Sequence, residues 1–249
     1  MILVLNVFSS NNSFMPELNA EKLKKKAIFF GFEDVLVPGK VDKNIDLNEV
    51  KKILSNLQTL QNKFNLHVVV ISGYSQKIGE KKLKEFSLEK FFNPDFVFFV
   101  SKNYLSSMQE IDRKRYEVAI KKDPNYKDEY FKQYVIQKFS KDHNISKKQM
   151  IYIGHDVWVE GFYTRRFSQI DFALIKSAYS QRGEKAQEPI KHLFYIQRKW
   201  KDIQKLLTLD ELKAEYSQLD NYVTTVMKEK LFEGTKLEGL VNKSLKRNS

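Results

Sequence analysis

Residues 27–37 of this chain read AIFFGFEDVLV, and residues 150–156 read MIYIGHD. Each stretch is an apolar run that ends in a glycine and acidic residues. Buried parallel strands have this pattern where they open into a loop, because both faces of the strand are covered and its end meets solvent. We therefore predict two buried strands, at residues 27–31 and 149–153, whose following loops carry polar side chains.

The rest of the chain alternates between strand and helix patterns. Strands are predicted at residues 66–71, 95–100 and 170–175, and helices at residues 46–64, 76–90, 103–120 and 128–140. Strands that alternate with helices at these distances predict an α/β fold with a doubly wound parallel sheet. Such sheets bind ligands at the carboxyl ends of their strands. The loops that follow the first, second and fourth predicted strands should therefore converge on one crevice.

The two quoted stretches resemble the first and last motifs of the haloacid dehalogenase (HAD) superfamily of phosphatases and related phosphotransferases. The first motif of that family is an apolar strand followed by Asp-x-Asp-Gly-Thr-Leu. Aligned with it, the nucleophile falls on Gly31, the acid/base residue on Glu33 and the motif glycine on Asp34. The resemblance covers about residues 25–178 and implies a HAD-like, Rossmannoid core.

The last family motif is an apolar strand followed by Gly-Asp and a second acid four or five residues later. Gly154 matches it, the metal-binding Asp falls on His155, and Glu160 stands where the second acid would be. The short intervals between the motifs leave no room for a cap domain, so the resemblance implies a capless member.

Two further family positions have matches. The strand that ends in Ser72 and Gly73 resembles the second motif, whose hydroxyl binds the transferred phosphoryl group. The third motif is a lysine near the start of the helix before the last motif strand. Lys122 is the best positional match, and Lys121 and Lys127 are close rivals.

The chemistry of the family is largely missing from these positions. Its reaction requires a carboxylate that attacks phosphorus, and Gly31 has no side chain. A shift of register does not restore the pair, because Glu33 as nucleophile would leave Val35 as the acid/base residue. No catalytic residue is therefore assigned. The candidates at family positions are Glu33, Asp34, Ser72 and Lys122.

No cofactor is assigned either, although the resemblance implies Mg²⁺ if the family chemistry survives. Imidazole suits Zn²⁺ and other transition metals better than Mg²⁺, which prefers hard oxygen ligands. Candidate metal ligands are His155, Asp156 and Glu160, together with Glu33. The alternatives are that the acids are solvated loop residues or helix caps, or that the strand ends form a relict anion or phosphate pocket. That pocket would consist of Gly31, Phe32, Glu33, Ser72, Gly73, Gly154, His155 and Asp156.

The composition limits the other classes of function. The chain has 249 residues, a net charge of +12 and no cysteine, which excludes disulfides, thiolate metal sites and cysteine nucleophiles. Its apolar amino-terminal stretch lacks the features of a signal peptide, and no apolar run is long enough to span a bilayer. We expect a cytoplasmic protein without a membrane partner. The positive charge fits either a nucleic-acid-binding face or a solvated, lysine-rich surface.

The carboxyl-terminal region predicts a helical hairpin. After a polar linker at residues 181–188, apolar side chains recur with 3-4-3-4 spacing in two stretches. The first comprises Leu193, Ile196, Trp200, Ile203 and Leu207, and the second Leu212, Tyr216, Leu219, Val223 and Val226. We predict a HAD-like domain at residues 1–183 and a hairpin with a basic tail at residues 184–249. The hairpin packs on its own core, or it binds a macromolecular partner or a second copy of the chain.

The motifs without their nucleophile indicate a catalytically inactive HAD-like protein that acts as a binding or scaffold module. One alternative is a divergent HAD-type phosphatase or phosphotransferase. The other is an RNA- or ribonucleoprotein-associated factor whose basic surface is the working part.

Overall fold

The computed structural model describes residues 18, 20–123, 126–156, 160–161, 163–175 and 195–210. These residues form one sheet of six strands in the order β3-β2-β1-β4-β5-β6. Every neighbouring pair is parallel. The strands are β1 Ala27–Gly31, β2 His67–Ser72, β3 Val97–Phe99, β4 Met150–Gly154, β5 Asp171–Ile175 and β6 Tyr195–Ile196. The predicted α/β class with a doubly wound parallel sheet is confirmed.

The strand order reverses between β1 and β4, which are hydrogen-bonded neighbours. Ligands of doubly wound sheets bind outside the carboxyl ends of the strands at this reversal. The two loops that carry the motif residues, after Gly31 and after Gly154, therefore lie side by side where a crevice is expected. The loop after Ser72 lies at the same edge, because β2 pairs with β1 on its other side.

Five helices flank the sheet in the described residues: α1 Leu47–Phe64, α2 Gln76–Glu85, α3 Glu110–Lys122, α4 Lys127–Asp142 and α5 Trp200–Thr208. Asp46 starts α1, because its side chain accepts hydrogen bonds from the backbone N–H groups of Asn48 and Glu49. The helix ends at Asn65, which has a left-handed backbone. Between β1 and β2 the chain forms α1 alone, without an inserted domain.

Two apolar clusters cover the two faces of the sheet. Successive strand residues point to opposite faces, so Ile28 and Phe30 belong to one cluster and Phe29 to the other. We call the first face the α1/α5 face, because α1 and α5 pack on it. The other is the α4 face, where α4 packs. None of the helices in the described part of the chain is long and apolar enough to cross a membrane.

The carboxyl-terminal region differs from the predicted hairpin in its first half. Ile196 lies in β6, where it pairs with Ile175, and is not part of a helix. Strand pairing with β6 provides hydrogen-bond partners for the backbone groups along the edge of β5. A helix at these residues would have left those groups unpaired. Helix α5 begins only at Trp200, and its buried side chains Trp200, Ile203 and Leu207 pack against the α1 side of the core.

The remaining predictions for this region lie outside the described residues. They are Leu193 of the first stripe, the whole second stripe, the polar linker and the domain boundary at residues 183/184. The described part, β6 and α5, continues the sheet and core that the preceding strands form.

Candidate functional site

The loop after β1 turns at Asp34. This residue has a φ of 60°, in the left-handed region that favours glycine, and it stands at the position where the family motif has glycine. Aspartate tolerates this conformation better than most residues, because its short side chain can bond locally. Here Oδ1 of Asp34 accepts hydrogen bonds from the backbone N–H groups of Val41 (3.1 Å) and Asp42 (2.7 Å). The carboxylate is buried and closes the loop on itself.

Arg198, in the turn between β6 and α5, holds the same loop from outside. Its guanidinium donates to the carbonyl oxygen of Val35 (2.9 Å), to that of Asp34 and to the carboxylate of Asp42 (2.8 Å). Arg198 is not among the site residues predicted from the sequence. No local pattern could have revealed it, because its partners lie about 160 residues away in the chain.

Glu160 is the centre of the loop after β4. Its Oε1 accepts hydrogen bonds from the Tyr152 hydroxyl (3.0 Å) and from Nζ of Lys132 (3.0 Å). Its Oε2 accepts from the backbone N–H groups of His155 (2.9 Å) and Asp156 (3.3 Å). The residue is only 4% exposed. Each carboxylate oxygen therefore has two donors, and the charge is held inside the protein.

Glu160 also takes the space beside Gly31, where the family has its nucleophile. A Cβ atom added to Gly31 would lie 3.1 Å from Cγ2 of Val35, 3.2 Å from Oε1 of Glu160 and 3.4 Å from the Tyr152 hydroxyl. A Cβ atom on Gly154 would come within 2.5 Å of Oε2 of Glu160. Both glycines therefore give room to the Glu160 carboxylate, and a larger side chain at Gly31 would have to displace its neighbours.

Lys132 in α4 supplies the positive charge of the site. Its Nζ lies 2.7 Å from a carboxylate oxygen of Glu129 and 3.0 Å from Glu160, and its side chain is 12% exposed. Burial would lower the pKa of Lys132, but the two carboxylates outweigh it and raise that pKa well above its usual value. For Glu160, burial opposes the charged form, yet Lys132 and His155 hold its pKa well below the usual value.

Glu129 is the less satisfied of the two acids. Its Oε2 has no hydrogen-bond partner, and burial raises the pKa of Glu129 despite the contact with Lys132.

Lys132 was not predicted as a site residue; Lys122 was the best match for the lysine of the third motif. Lys122 lies at the end of α3, and its side chain is outside the described part of the chain. The position of Lys132 in the sequence could have pointed to it, because it lies in α4, the helix that precedes β4.

His155 bridges the two motif loops. Its Nδ1 lies 3.3 Å from Oε2 of Glu160, and its Nε2 lies 3.8 Å from Oδ2 of Asp34. The Nδ1 contact lacks hydrogen-bond geometry, so it is a charge contact. Burial lowers the pKa of His155, but Glu160, Asp34 and Asp156 together raise it above 6.5. The His155 imidazole thus lies between two buried carboxylates at the reversal point of the sheet, and these carboxylates favour its protonated form.

The loop after β2 brings the remaining predicted residues to this edge. Ser72 is buried, and its hydroxyl oxygen accepts a hydrogen bond from the backbone N–H of Tyr74 (3.2 Å). Burial and a hydrogen bond with Glu33 raise the pKa of Tyr74. Phe32 packs edge-on against the Tyr74 ring, and Gly73 is exposed. The crevice residues predicted from the sequence therefore do lie along one edge of the sheet.

The donor set does not fit a Mg²⁺ ion. No group of three His, Asp or Glu side chains in the described residues is placed to hold a metal. The predicted ligand set of His155, Asp156 and Glu160 is therefore not assembled. The physical reason is that Glu160 already accepts from Lys132, Tyr152 and two backbone N–H groups, which occupy the lone pairs a cation would need.

The charges at this edge do not favour an anion pocket. Its side chains include the acids Glu33, Asp34, Asp156 and Glu160, against the bases Lys132 and His155. An added phosphate would meet this negative surplus at short range, which raises its free energy.

No family model matches the chain, and no curated protein matches it. Among solved structures, it is similar to the cobalt-bound deoxy-D-mannose-octulosonate 8-phosphate phosphatase of Haemophilus influenzae. The identity is 12%, the TM-score 0.37, and the match covers 89% of this chain and 99% of that one. It is also similar to a haloacid dehalogenase-like hydrolase protein of Bacillus subtilis, with 15% identity, a TM-score of 0.43 and coverage of 76% and 92%. A third match is a HAD-superfamily hydrolase of Geobacter sulfurreducens, with 12% identity, a TM-score of 0.38 and coverage of 74% and 100%.

The parallel sheet agrees with the doubly wound core that the resemblance to the HAD family implies. The strands that precede the two motif loops, β1 and β4, are direct neighbours in it. Asp34, at the position of the motif glycine, has a left-handed backbone. Gly31, Glu33 and His155 occupy the positions on which the reacting residues of the family motifs fall.

Proposed function

We propose that this chain is a non-catalytic HAD-like protein that works as a binding module. The observation that carries the proposal is the ion-paired Glu160 carboxylate beside Gly31. Residue 31 has no attacking group, and a Cβ atom there would lie 3.2 Å from Oε1 of Glu160, so a carboxylate side chain at this position would crowd that ion pair.

The other carboxylates at the edge are poorly suited to replace the nucleophile. Glu160 points its oxygens at Lys132, Tyr152 and two backbone N–H groups, so attack would require breaking a buried network. Asp34 is 2% exposed, and its Oδ1 binds the backbone of its own loop. Glu33 stays at the surface of the crevice, but it has no acid/base partner at residue 35.

The chemistry of the crevice favours a cationic or neutral group of a partner over a phosphate. Acidic side chains outnumber basic ones there, although the whole chain has a net charge of +12. A lysine or arginine of a partner protein would be attracted to this edge, since opposite charges attract more strongly where water is partly excluded. The proposed partner is therefore a macromolecule that presents a basic segment to the strand ends.

A phosphatase assay tests the lack of catalysis. We expect purified protein to release no p-nitrophenol from p-nitrophenyl phosphate above buffer, with Mg²⁺ or Co²⁺ present. Glu33→Gln and Asp34→Asn should leave this background unchanged. Mg²⁺-dependent turnover that disappears in Glu33→Gln would instead establish the alternative, a divergent HAD-type phosphatase.

A binding assay tests the class of partner. Isothermal titration should detect no binding of inorganic phosphate at millimolar concentration, whereas a lysine-rich peptide should bind and lose affinity in Glu33→Gln. Binding of single-stranded RNA with an affinity that falls steeply with salt would support the RNA-associated alternative, because that dependence reports phosphate contacts.

A further inference from the structure

The outer side of α3 carries an unusual apolar surface. Ile111 and Val118 lie seven residues apart on this helix and are 57% and 53% exposed. Residues with this spacing share one side of a helix. Together with Tyr126 and Phe167, they line a cavity of about 520 Å³. We call this surface the α3 groove.

The rim of the α3 groove is basic. Lys114, Arg115 and Arg166 line it, against one acid, Asp123. Lys114 and Arg115 pair with acids of their own helix: the Lys114–Glu110 pair is exposed on both sides and compensates charge weakly in water, and the Arg115 side chain is 67% exposed although its partner Asp112 is largely buried. The groove therefore offers an apolar floor and a positive edge, which fits an apolar stripe flanked by acidic residues.

The described chain ends on the face of the sheet that also carries Phe167 of the α3 groove. Helix α5 packs on the α1/α5 face, but the next residue after its last turn, Leu209, packs against the α4 face. The side chain of Phe167 packs against the same cluster as Leu209.

Lys25 holds the end of the described chain in place. Nζ of Lys25 donates to the carbonyl oxygen of Asp210 (2.9 Å) and to Oδ2 of Asp171 (2.6 Å). The other oxygen of Asp171 lies 3.6 Å from Nη1 of Arg165. Arg165 directly precedes Arg166 of the groove rim in the sequence.

The next segment has matching chemistry. Residues 211–226 lie beyond the described part of the chain, and their sequence predicts an amphipathic helix with the stripe Leu212, Tyr216, Leu219, Val223 and Val226. At 3.6 residues per turn, its acids Glu211, Glu215 and Asp220 flank both sides of that stripe, with Lys213 as the one base. A helix of this length is about 24 Å long, similar to the roughly 20 Å of α3.

We propose that residues 211–226 form a helix that docks its apolar stripe into the α3 groove of the same chain. The segment covers Ile111, Val118 and Phe167, and its acids face Lys114, Arg115 and Arg166. This arrangement replaces the hairpin in which the same stripe packs on α5. The amino terminus is a poorer occupant, because Leu18 packs on the α1/α5 face of the sheet.

Disulfide trapping in the full-length chain tests the docking, and the absence of native cysteine makes the background clean. Val118→Cys is combined in turn with a cysteine at each stripe position, and separately with Ser217→Cys, Asn221→Cys and Thr224→Cys on the opposite side of the helix. The matched control replaces Val118→Cys by Ile78→Cys, since Ile78 is also an exposed apolar residue (49%) but lies on α2.

We expect intramolecular disulfides at two or more stripe positions, formed about tenfold faster than at the opposite positions or with Ile78→Cys. Equal rates at stripe and opposite positions would overturn the proposal. Disulfides that form only between chains, seen as doubled mass and slowed by dilution, would also overturn it and would make a second copy the occupant.

Hydrogen exchange gives a test that needs no disulfide. Val118→Asp changes an exposed residue and adds a negative charge to the groove, so it should speed exchange of the amides in residues 211–226 about tenfold. Ile78→Asp should leave those amides unchanged. No change with Val118→Asp, or the same change with both variants, would contradict docking in the α3 groove.

Discussion

Asp34 turns the loop after β1 with a left-handed backbone that usually favours glycine. Its φ is 60°, and it stands where the resembled first motif has glycine. Its carboxylate makes the left-handed conformation tolerable by accepting hydrogen bonds from Val41 and Asp42. A group that resembles a catalytic acid in the sequence is therefore a structural residue that shapes the loop.

Replacing Asp34 should expose both parts of this role. Asp34→Ala should lower the free energy of unfolding by about 2–4 kcal/mol, because it adds left-handed strain and leaves two backbone N–H groups without their acceptor. Asp34→Asn should lower it less, since asparagine tolerates the conformation and keeps one acceptor oxygen. Urea unfolding of the three proteins measures the difference, and equal losses for both variants would contradict this role.

His155 should make stability depend on pH. Its folded pKa lies above 6.5, so the charge contacts with Glu160 and Asp34 are fully present below about pH 6.5 and are lost as the pH rises through the folded pKa. The free energy of unfolding of the native chain should exceed that of His155→Gln most at pH 6, and this excess should shrink toward pH 9. Because His67 and His143 are common to both proteins, the difference isolates His155. An excess that is constant or grows with pH would be inconsistent with a protonated imidazole at this place.

At the scale of elements, Lys132 joins α4 to the loop after β4. It is the one base between two buried acids, Glu129 and Glu160. Lys132→Met should destabilise the protein by about 3–5 kcal/mol at pH 7, because it leaves Glu129 buried without a counter-charge and removes one of the two bases beside Glu160. The loss should become smaller at pH 5, where protonation removes those charges.

A control on the same helix separates this effect from a loss of side-chain length. Lys138 pairs with Asp142, and both side chains are more than half exposed. Lys138→Met should change stability by less than about 1 kcal/mol, since surface ion pairs contribute little. Similar losses for the two lysines at pH 7, measured by thermal and urea unfolding, would show that the buried network is not what holds α4 in place.

Helix α5 should behave as part of the core. Trp200 is 7% exposed and packs on the α1/α5 face, so Trp200→Ala should cost about 3–5 kcal/mol of stability. Lys201→Ala, at the exposed neighbouring position, should have little effect. Calorimetry on both variants measures the losses. A melting temperature unchanged by Trp200→Ala would mean that Trp200 contacts a binding partner and does not pack in the core.

For the molecule as a whole, the features that could be predicted from the sequence are those that leave a local pattern: the core strands and the loops at their ends. The five strands of the core were visible because runs such as 66–71 are apolar and β-branched, which is typical of strands buried on both faces. The convergence of Gly31, Ser72 and Gly154 followed from their places at strand ends. The helix reading of Ile196 was wrong, because two residues of strand pairing left no periodic signal of their own.

The contacts that define the site could not be predicted in this way. The pairing of Lys132 with Glu160 spans 28 residues, and that of Arg198 with Asp34 spans 164. Such pairs depend on how helices and strands pack together. In a lysine-rich chain, the local sequence around one lysine does not indicate which acid it pairs with. The sequence has a glycine, Gly31, at the position on which the motif nucleophile falls, and the structure shows that Glu160 lies beside it.

A crystal structure of the protein grown with Mg²⁺ and phosphate would show whether the edge between β1 and β4 holds a structural ion pair or a catalytic centre. We predict that Nζ of Lys132 remains bonded to Glu160, that the Glu160 carboxylate stays beside Gly31, and that the edge between β1 and β4 holds neither metal nor phosphate. An octahedral Mg²⁺ ion with Glu160 and Asp156 among its ligands, and Lys132 displaced, would contradict the proposal and restore the phosphatase reading.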